Sequence, residues 1–354
     1  MRIVSIFLVA TVLLLSGCTG IGPRTVVRDR FDYTTALSDS WKSQMLINMV
    51  KMRYGDAPIF LDVASVINSY EVSGAGSVGA SWFQPSSYGL TQSQNLGASG
   101  TYANRPTITY NPVTGERFAR TMMTPIPPSA VVSLIQAGYP ADAVFRVLIH
   151  SINGVQNRYG GSAAAHPADP EFYPLIEKMR RIQASGAIGL RVQKTNETVV
   201  VFRGKVDENI EADILEVRKI LGLDPQAREF KVVYGQVAEN DREIAILSRS
   251  MIQVFTDLAS YIKVPGVHLA ENRVNPGLKD EVVGGIPVPP LFRVNSSSGR
   301  PDDAFVEVPY HNHWFWIDDK DLPSKRLFSF LMFIFTLVET GGKEGVPVVT
   351  IPVR

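Results

Sequence analysis

The chain has 354 residues, of which 35 are basic and 34 acidic, so its formal net charge at pH 7 is +1. A near-neutral chain lacks the dominant basic field that nucleic-acid binding, or a purely electrostatic attachment to a membrane, requires. Its single cysteine excludes an intrachain disulfide, so packing must stabilise a chain that is long enough for two domains or one large one.

The N-terminal segment has the pattern of an export signal. Arg2 supplies a positive start, residues 3–15 form an almost unbroken apolar run, and the small residues Ser16 and Gly17 precede the single Cys18. The apolar run is too short to span a bilayer as a permanent helix and has the length of a signal-peptide core. The stretch Leu15-Ser16-Gly17-Cys18 resembles the lipobox of bacterial lipoproteins.

This resemblance implies cleavage before Cys18, diacylation of its sulfur with chains such as palmitate, and acylation of the new amine. Acyl chains contribute about 0.8 kcal/mol per buried methylene, so two or three of them anchor a protein stably. Thr19 stands where an aspartate would resemble an inner-membrane retention signal, which favours the outer membrane. The alternative is an ordinary secretory signal with a coincidental cysteine.

Composition along the chain predicts four regions. Residues 1–17 are the expected signal peptide and 18–34 a lipidated N-terminus with a Gly- and Pro-containing tether. Residues 35–160 are expected to be a helical region with an inserted hairpin at 66–111, and 161–354 an α+β domain. The first helix is expected to begin near Ser38 or Ser40 and to end at Gly55. Its apolar stripe favours a core position over a binding surface; the stripe comprises Trp41, Met45, Met49 and Met52.

The inserted region predicts a long β-hairpin rich in Gly and Ser. Residues 69–82 alternate apolar or small with polar positions, as do residues 95–102 after a turn-like segment at 84–89. Period two is typical of a strand. The pattern is expected to continue at 107–110, with a further turn at 111–115.

Three interpretations of this hairpin remain open. Alternation of apolar and small polar residues with aromatic ends is typical of a membrane strand, and a ring of subunits could form a pore from one hairpin each. The apolar face is thin, however, which favours packing against protein. The third interpretation is a mobile loop.

Helix signals dominate the next region. Prolines open and glycines close the expected helices 129–137 and 141–152, and Asp169 with Pro170 starts another that ends before Gly186. The segment 124–128 contains three prolines and is expected to be extended. The Gly- and Ala-rich segment 159–168 is the predicted domain boundary.

The second half predicts an α+β sandwich with a mixed or antiparallel sheet covered by helices. Strands are expected at 188–193, 198–203 and 229–235, and helices at 210–221 and 244–262. Further strands are expected at 305–308, 314–317 and 346–353. The helix 324–339 is apolar nearly all round yet too short to span a bilayer, which predicts a buried core helix.

Three stretches of the C-terminal part carry a second resemblance. They are Trp314-Phe315-Trp316-Ile317-Asp318-Asp319, Ser324-Lys325-Arg326 and Thr350-Ile351-Pro352. With them most of the mature chain resembles a family of bacterial lipoproteins of unknown function. The resemblance implies no activity.

Residue patterns for catalysis are scarce. His311 and His313, predicted on one face of a strand and close in sequence to Asp302, Asp303, Asp318, Asp319 and Asp321, make a metal site conceivable. Nothing fixes a third ligand, and Asp318, Asp319 and Asp321 fit better as caps of the following helix. His150 and His268 are isolated. Neither a nucleophile elbow, a zinc-protease motif nor a phosphate loop is present.

These observations predict a non-enzymatic lipoprotein anchored through Cys18, without cofactor or metal. The favoured function is a structural or assembly role on the periplasmic side of the outer membrane, with envelope proteins or further copies of the chain as partners. One alternative is a subunit of an oligomeric outer-membrane pore or secretion channel. Another is an unrecognised envelope hydrolase or glycan-binding protein. The sequence identifies neither a nucleic-acid partner nor a small-molecule substrate.

Overall fold

A computed structural model describes residues 23–67, 70–81, 93–104, 107–161, 165–192, 198–277 and 280–339. Contacts divide the chain into two compact units. The first holds the described residues of Met1–Ser38 and Leu61–Val113, and the second those of Asp39–Phe60 and Thr114–Arg354. The architecture is α+β, as the sequence predicts.

Helix α1 spans Pro23–Arg53, much longer than expected. The tether predicted over residues 18–34 is therefore helical from residue 23, and the start expected near Ser38 is wrong. The fixed φ angle of Pro23 suits the first turn of a helix, and no Gly or Pro follows it within the helix. The end is as predicted, because Lys51 and Arg53 occupy the last turn and Gly55 has a φ of 80°.

Four strands follow in the first unit. Strand β1 (Leu61–Ile67) pairs antiparallel with β4 (Thr107–Pro112), with a bulge between Val63 and Ser65. Strand β2 (Tyr70–Ser81) pairs antiparallel with β3 (Ser93–Asn104), without a register shift. The antiparallel pair predicted for the Gly- and Ser-rich stretch is thus present, and the turn predicted at 84–89 lies outside the described residues.

The second unit is built around one six-stranded sheet. Its strands are β5 (Ile149–Ile152), β6 (Val155–Gln156), β7 (Ile188–Val192), β8 (Thr198–Phe202), β9 (Glu229–Tyr234) and β10 (Glu243–Ser248). They lie in the order β6-β5-β10-β9-β8-β7, and β9 and β10 form the parallel pair. Because β5 and β6 precede residue 160 and β10 follows it, the boundary predicted at 160/161 is wrong.

The second unit also contains helices, some of which pack against this sheet. They are α2 (Gly115–Phe118), which leads into a π-helical turn at Ala119–Met123, α3 (Pro128–Gln136), α4 (Ala141–Leu148), α5 (Phe172–Ala184), α6 (Glu208–Leu221), α7 (Met251–Ala259) and α8 (Gly266–Ala270). Helix α4 ends at Leu148 instead of residue 152, since its continuation is β5. The core between helices and sheet is aromatic and aliphatic, with Phe172, Phe202 and Phe230 almost fully buried.

The helix predicted over 244–262 is wrong for its first part. Residues Glu243–Ser248 form β10, and α7 starts only at Met251. A capping box marks the start, since the Ser250 N–H donates to Gln253 Oε1 at 2.8 Å. The apolar run before it fits the interior of the sheet between β5 and β9, and this tertiary position decides the conformation.

The C-terminal part carries two further small sheets and the last helix. Strands β11 (Val282–Val283) and β12 (Ile286–Pro287) form a short hairpin. Strands β13 (Asn295–Ser297), β14 (Ala304–Tyr310) and β15 (His313–Asp318) form an antiparallel sheet. Helix α9 (Leu322–Glu339) buries Phe328, Leu331 and Ile334, whereas Phe333 on its other side is 43% exposed. The strand predicted at 346–353 lies outside the described residues.

Candidate functional site

Cys18, the predicted lipidation site, lies outside the described residues together with the whole of the expected signal peptide. The described chain starts at Pro23, the first residue of helix α1 and only five positions after Cys18 in the sequence. The first turns of this helix expose large apolar side chains. Val26 and Val27 are each 61% exposed and Phe31 is 68% exposed.

The ribbon formed by β1 and β4 is also open to solvent. All six residues of β4 are exposed, so both of its faces are uncovered. Ile108 and Tyr110 of β4 are 40% and 51% exposed, and Leu61 and Ile67 of β1 are 41% and 42% exposed. Two strands without a covering layer bury little apolar surface and are marginally stable in water. The first unit therefore presents apolar residues of the kind that protein interfaces cover.

The predicted His311-Asn312-His313 strand is instead a turn followed by a strand. His311 and Asn312 have φ angles of 46° and 61°, and they connect β14 to β15 as a two-residue hairpin loop. The prediction that both imidazoles share one strand face is therefore wrong. His313 begins β15, where it pairs with Tyr310.

The fold nevertheless brings these two histidines to a third. The ring of His268, on α8, lies 4.9 Å from the ring of His313 and 6.3 Å from that of His311. The Tyr54 hydroxyl is 2.7 Å from His268 Nδ1. Burial, reinforced by His313, lowers the pKa of His268 and favours the neutral ring. Among the described residues no group of three or more His, Cys, Asp or Glu side chains is arranged to hold a metal ion.

Of the predicted capping aspartates, Asp321 caps α9 as expected, whereas Asp318 is the last residue of β15. Asp321 accepts hydrogen bonds from the Ser324 N–H at 3.2 Å and the Ser324 hydroxyl at 2.9 Å. Asp318 accepts one from the Lys320 N–H at 2.8 Å. The contact of Asp321 with the Ser324 N–H satisfies a backbone donor that a helix start leaves without a partner, whereas Asp318 stabilises the turn before the helix.

No sequence motif predicts a further polar feature of the second unit, a cleft with a cavity of about 660 Å³. Five basic side chains line it, from well-separated points of the chain: Arg53, Arg146, Arg158, Lys263 and Arg293. Asp280 and Glu281 are its acidic residues. Single basic residues scattered from 53 to 293 form no motif, and only the fold brings them together.

A buried ion network holds Arg158, one of the residues that line this cleft. Arg158 Nη1 lies 3.3 Å from Asp257 Oδ1, and Arg249 Nη1 lies 3.0 Å from Asp257 Oδ2. All three side chains are at most 7% exposed. Gly160 N also donates to Asp257 Oδ1, at 2.5 Å. Asp257 therefore fixes Arg158, whose guanidinium reaches the cleft over the ring of Tyr261 at 4.2 Å.

Comparisons with known proteins found no family model, no curated protein and no solved structure that matches this chain. No helix among the described residues has both the length and the apolar character needed to cross a membrane.

Proposed function

We propose that this chain is a lipid-anchored cell-envelope protein with a structural or assembly role, without enzymatic activity. Cys18 attaches it to the periplasmic side of the outer membrane, and its first unit binds other envelope proteins. The lipobox pattern supports the anchor, and the exposure of β1, β4 and the start of α1 supports the partner. The lipidated cysteine and the binding surface belong to the same N-terminal third of the chain.

The observation that carries the proposal is the ribbon of β1 and β4. Its apolar side chains are open to solvent on a structure that has only two strands, although the second unit buries its aromatic residues well. Covering this ribbon with a partner removes apolar surface from water at about 25 cal/mol per Å². Such a partner would stabilise the ribbon as well as bind to it.

The anchor is tested by replacing the acylated sulfur. Cys18→Ser is expected to abolish incorporation of radioactive palmitate and to leave either uncleaved precursor or soluble product. Normal-sized protein that still carries the label in detergent-phase membranes would contradict lipidation at Cys18. Ser16→Cys with Cys18→Ser is a useful control, because a cysteine two positions away does not restore the Leu-Ser-Gly-Cys order.

Partner binding is tested by site-specific photocrosslinking in intact cells. A photoreactive phenylalanine at Tyr110, which is 51% exposed on β4, is expected to link the chain to discrete envelope proteins or to its own copies. Tyr234 is the matched control, because it is 54% exposed but lies in the second unit. Equal protein crosslinks from both positions, or none from Tyr110, would refute binding through the ribbon.

A pore subunit is the second candidate, and the register of β2 with β3 favours it. The ladder pairs Val72 with Tyr102 and Val78 with Leu96, and it pairs Ser81 with Ser93. Apolar residues or glycines thus oppose each other in four alternate pairs, from Val72 with Tyr102 to Val78 with Leu96, as one lipid-facing side of a strand pair would require.

Charge at two adjacent positions distinguishes the pore from the assembly role. In a pore, Val78→Arg would meet lipid at a cost of roughly 2–4 kcal/mol per subunit and block insertion. Ser77→Arg would be tolerated and would change conductance. Planar-bilayer recordings and liposome flotation of both variants and the wild type decide between them. Wild-type protein without channels, whose flotation depends only on the Cys18 lipid, would eliminate the pore.

A further inference from the structure

The basic cleft of the second unit holds several cations that no carboxylate neutralises. Within the described part of the chain, Arg53, Arg146 and Lys263 have no carboxylate oxygen within ion-pair distance. Their contacts are neutral: Arg53 Nη2 donates to the Asn275 carbonyl at 2.7 Å, Arg146 Nη2 to the Pro289 carbonyl at 2.9 Å, and Lys263 Nζ to Asn295 Oδ1 at 3.3 Å. These hydrogen bonds orient the cationic groups but do not neutralise their charge.

The two acidic residues of the cleft offset only part of its positive charge. Glu281 accepts hydrogen bonds from the Ala168 N–H at 2.7 Å and from the Tyr173 hydroxyl, so neutral donors occupy both of its oxygens. Arg293 is 3.8 Å from Asp321, and Arg158 shares Asp257 with Arg249. Five cations therefore face Asp280 and Glu281, and the cleft keeps an excess of positive charge.

One of these cations is also incompletely satisfied. Arg53 Nε is buried and has no hydrogen-bond partner among the described residues. Burial lowers the pKa of Arg53, because desolvation disfavours its charged form. An anion in the cleft would supply the missing acceptor and the missing charge together.

Most of the remaining lining is apolar. Tyr261, Phe292, Val264, Leu269 and Pro290 contribute to the same cavity. A volume of about 660 Å³ is within the range of small-molecule sites, and mixed apolar and cationic walls suit a ligand with both kinds of surface. Arginine guanidiniums match phosphate oxygens in paired hydrogen bonds, and several of them together favour a multiply charged anion over a lone carboxylate.

We propose that the cleft lined by Arg53, Arg146, Arg158, Lys263 and Arg293 binds a phosphate-bearing anion. The phosphate belongs either to a small phosphorylated molecule or to a lipid headgroup, and the chemistry of recognition is the same for both. This site is independent of the partner-binding surface in the first unit. It adds a ligand to a protein for which the sequence identifies none.

The test is calorimetric titration of the full lipoprotein in non-ionic detergent, with protein-free micelles as the reference. The probes are inorganic phosphate, glycerol 3-phosphate and a short-chain phosphatidic acid, which adds acyl chains to the same phosphate group. Equal binding of the last two identifies a small phosphorylated molecule. Clearly tighter binding of the phosphatidic acid identifies a lipid headgroup.

Variants assign the binding to the cleft. Arg53→Gln and Lys263→Gln are each expected to weaken phosphate binding about tenfold, because each removes a charged donor. Lys263 is exposed, so its replacement tests the site even if the Arg53 variant folds poorly. Arg242→Gln is the matched control, since Arg242 is exposed, pairs with Asp224 and lies outside the cleft. It is expected to bind like the wild type.

Two results would overturn the proposal. The first is that none of the three phosphate probes binds. The second is binding that Arg53→Gln and Lys263→Gln leave unchanged, or that Arg242→Gln weakens equally, because either pattern places the anion outside the cleft. Neither result affects the anchoring and crosslinking tests of the first unit, so the two proposals fail separately.

Discussion

Replacing Asp257 tests the buried ion network beneath the cleft. Asp257→Asn keeps the shape of the side chain but removes the carboxylate to which Arg158 and Arg249 are both paired, at 3.3 and 3.0 Å. The Arg249 side chain is fully buried, so its charge has no access to water as a substitute. Breaking a buried pair by removing one partner costs about 3–5 kcal/mol, because it leaves a buried charge uncompensated.

Such a loss is a large part of a total stability of about 5–15 kcal/mol. Urea unfolding followed by circular dichroism, on detergent-solubilised lipoprotein, measures it. Asp303→Asn is the control, because Asp303 pairs with Lys320 at the surface. The Asp303 side chain is 58% exposed and the Lys320 side chain is 82% exposed. Exposed pairs contribute little to stability, because water and salt screen them. If Asp257→Asn lost no more stability than Asp303→Asn, the network would not support this part of the fold.

The remaining predictions concern α9, a histidine and a helix end. Ile334→Asp buries a carboxylate at a site that is 2% exposed and is expected to lower the unfolding temperature strongly. Phe333→Asp, on the exposed side of α9, should change the unfolding temperature little. Equal shifts in the two variants would refute the orientation of this helix. Because the pKa of His268 in the folded protein lies below its ordinary value of 6.5, the unfolded chain binds a proton at higher pH than the folded chain does. The stability present at neutral pH should therefore fall as pH drops through 6.5. His268→Gln should flatten that dependence in urea titrations across pH 5 to 8, and an unchanged slope would show that other groups cause it. Gly222→Ala forces a non-glycine residue to a φ of 64° and is expected to cost about 1 kcal/mol, measurable as a lower urea midpoint.

Local signals in the sequence determined many elements correctly. Asp207 caps α6 and Gly222 ends it in the left-handed conformation, so the predicted helix lies almost where the structure has it. Period-two alternation located β2 and β3, whose pairing needs no distant residue to be recognised. The fold class followed from the order of such elements. The lipobox at Cys18 is also a purely local pattern, and lipidation there stays a prediction.

Tertiary contacts decided the conformations that these patterns left ambiguous. An apolar run such as Ile244-Ala245-Ile246-Leu247 fits a helix or a buried strand equally well, and its place between β5 and β9 selects the strand. The pair of Arg158 with Asp257 joins residues 99 positions apart. The basic cleft likewise collects residues from 53 to 293, and its charge excess depends on which carboxylates the fold turns toward other donors. The sequence alone does not predict which of these distant side chains lie close together, because their distances are set only when distant segments pack.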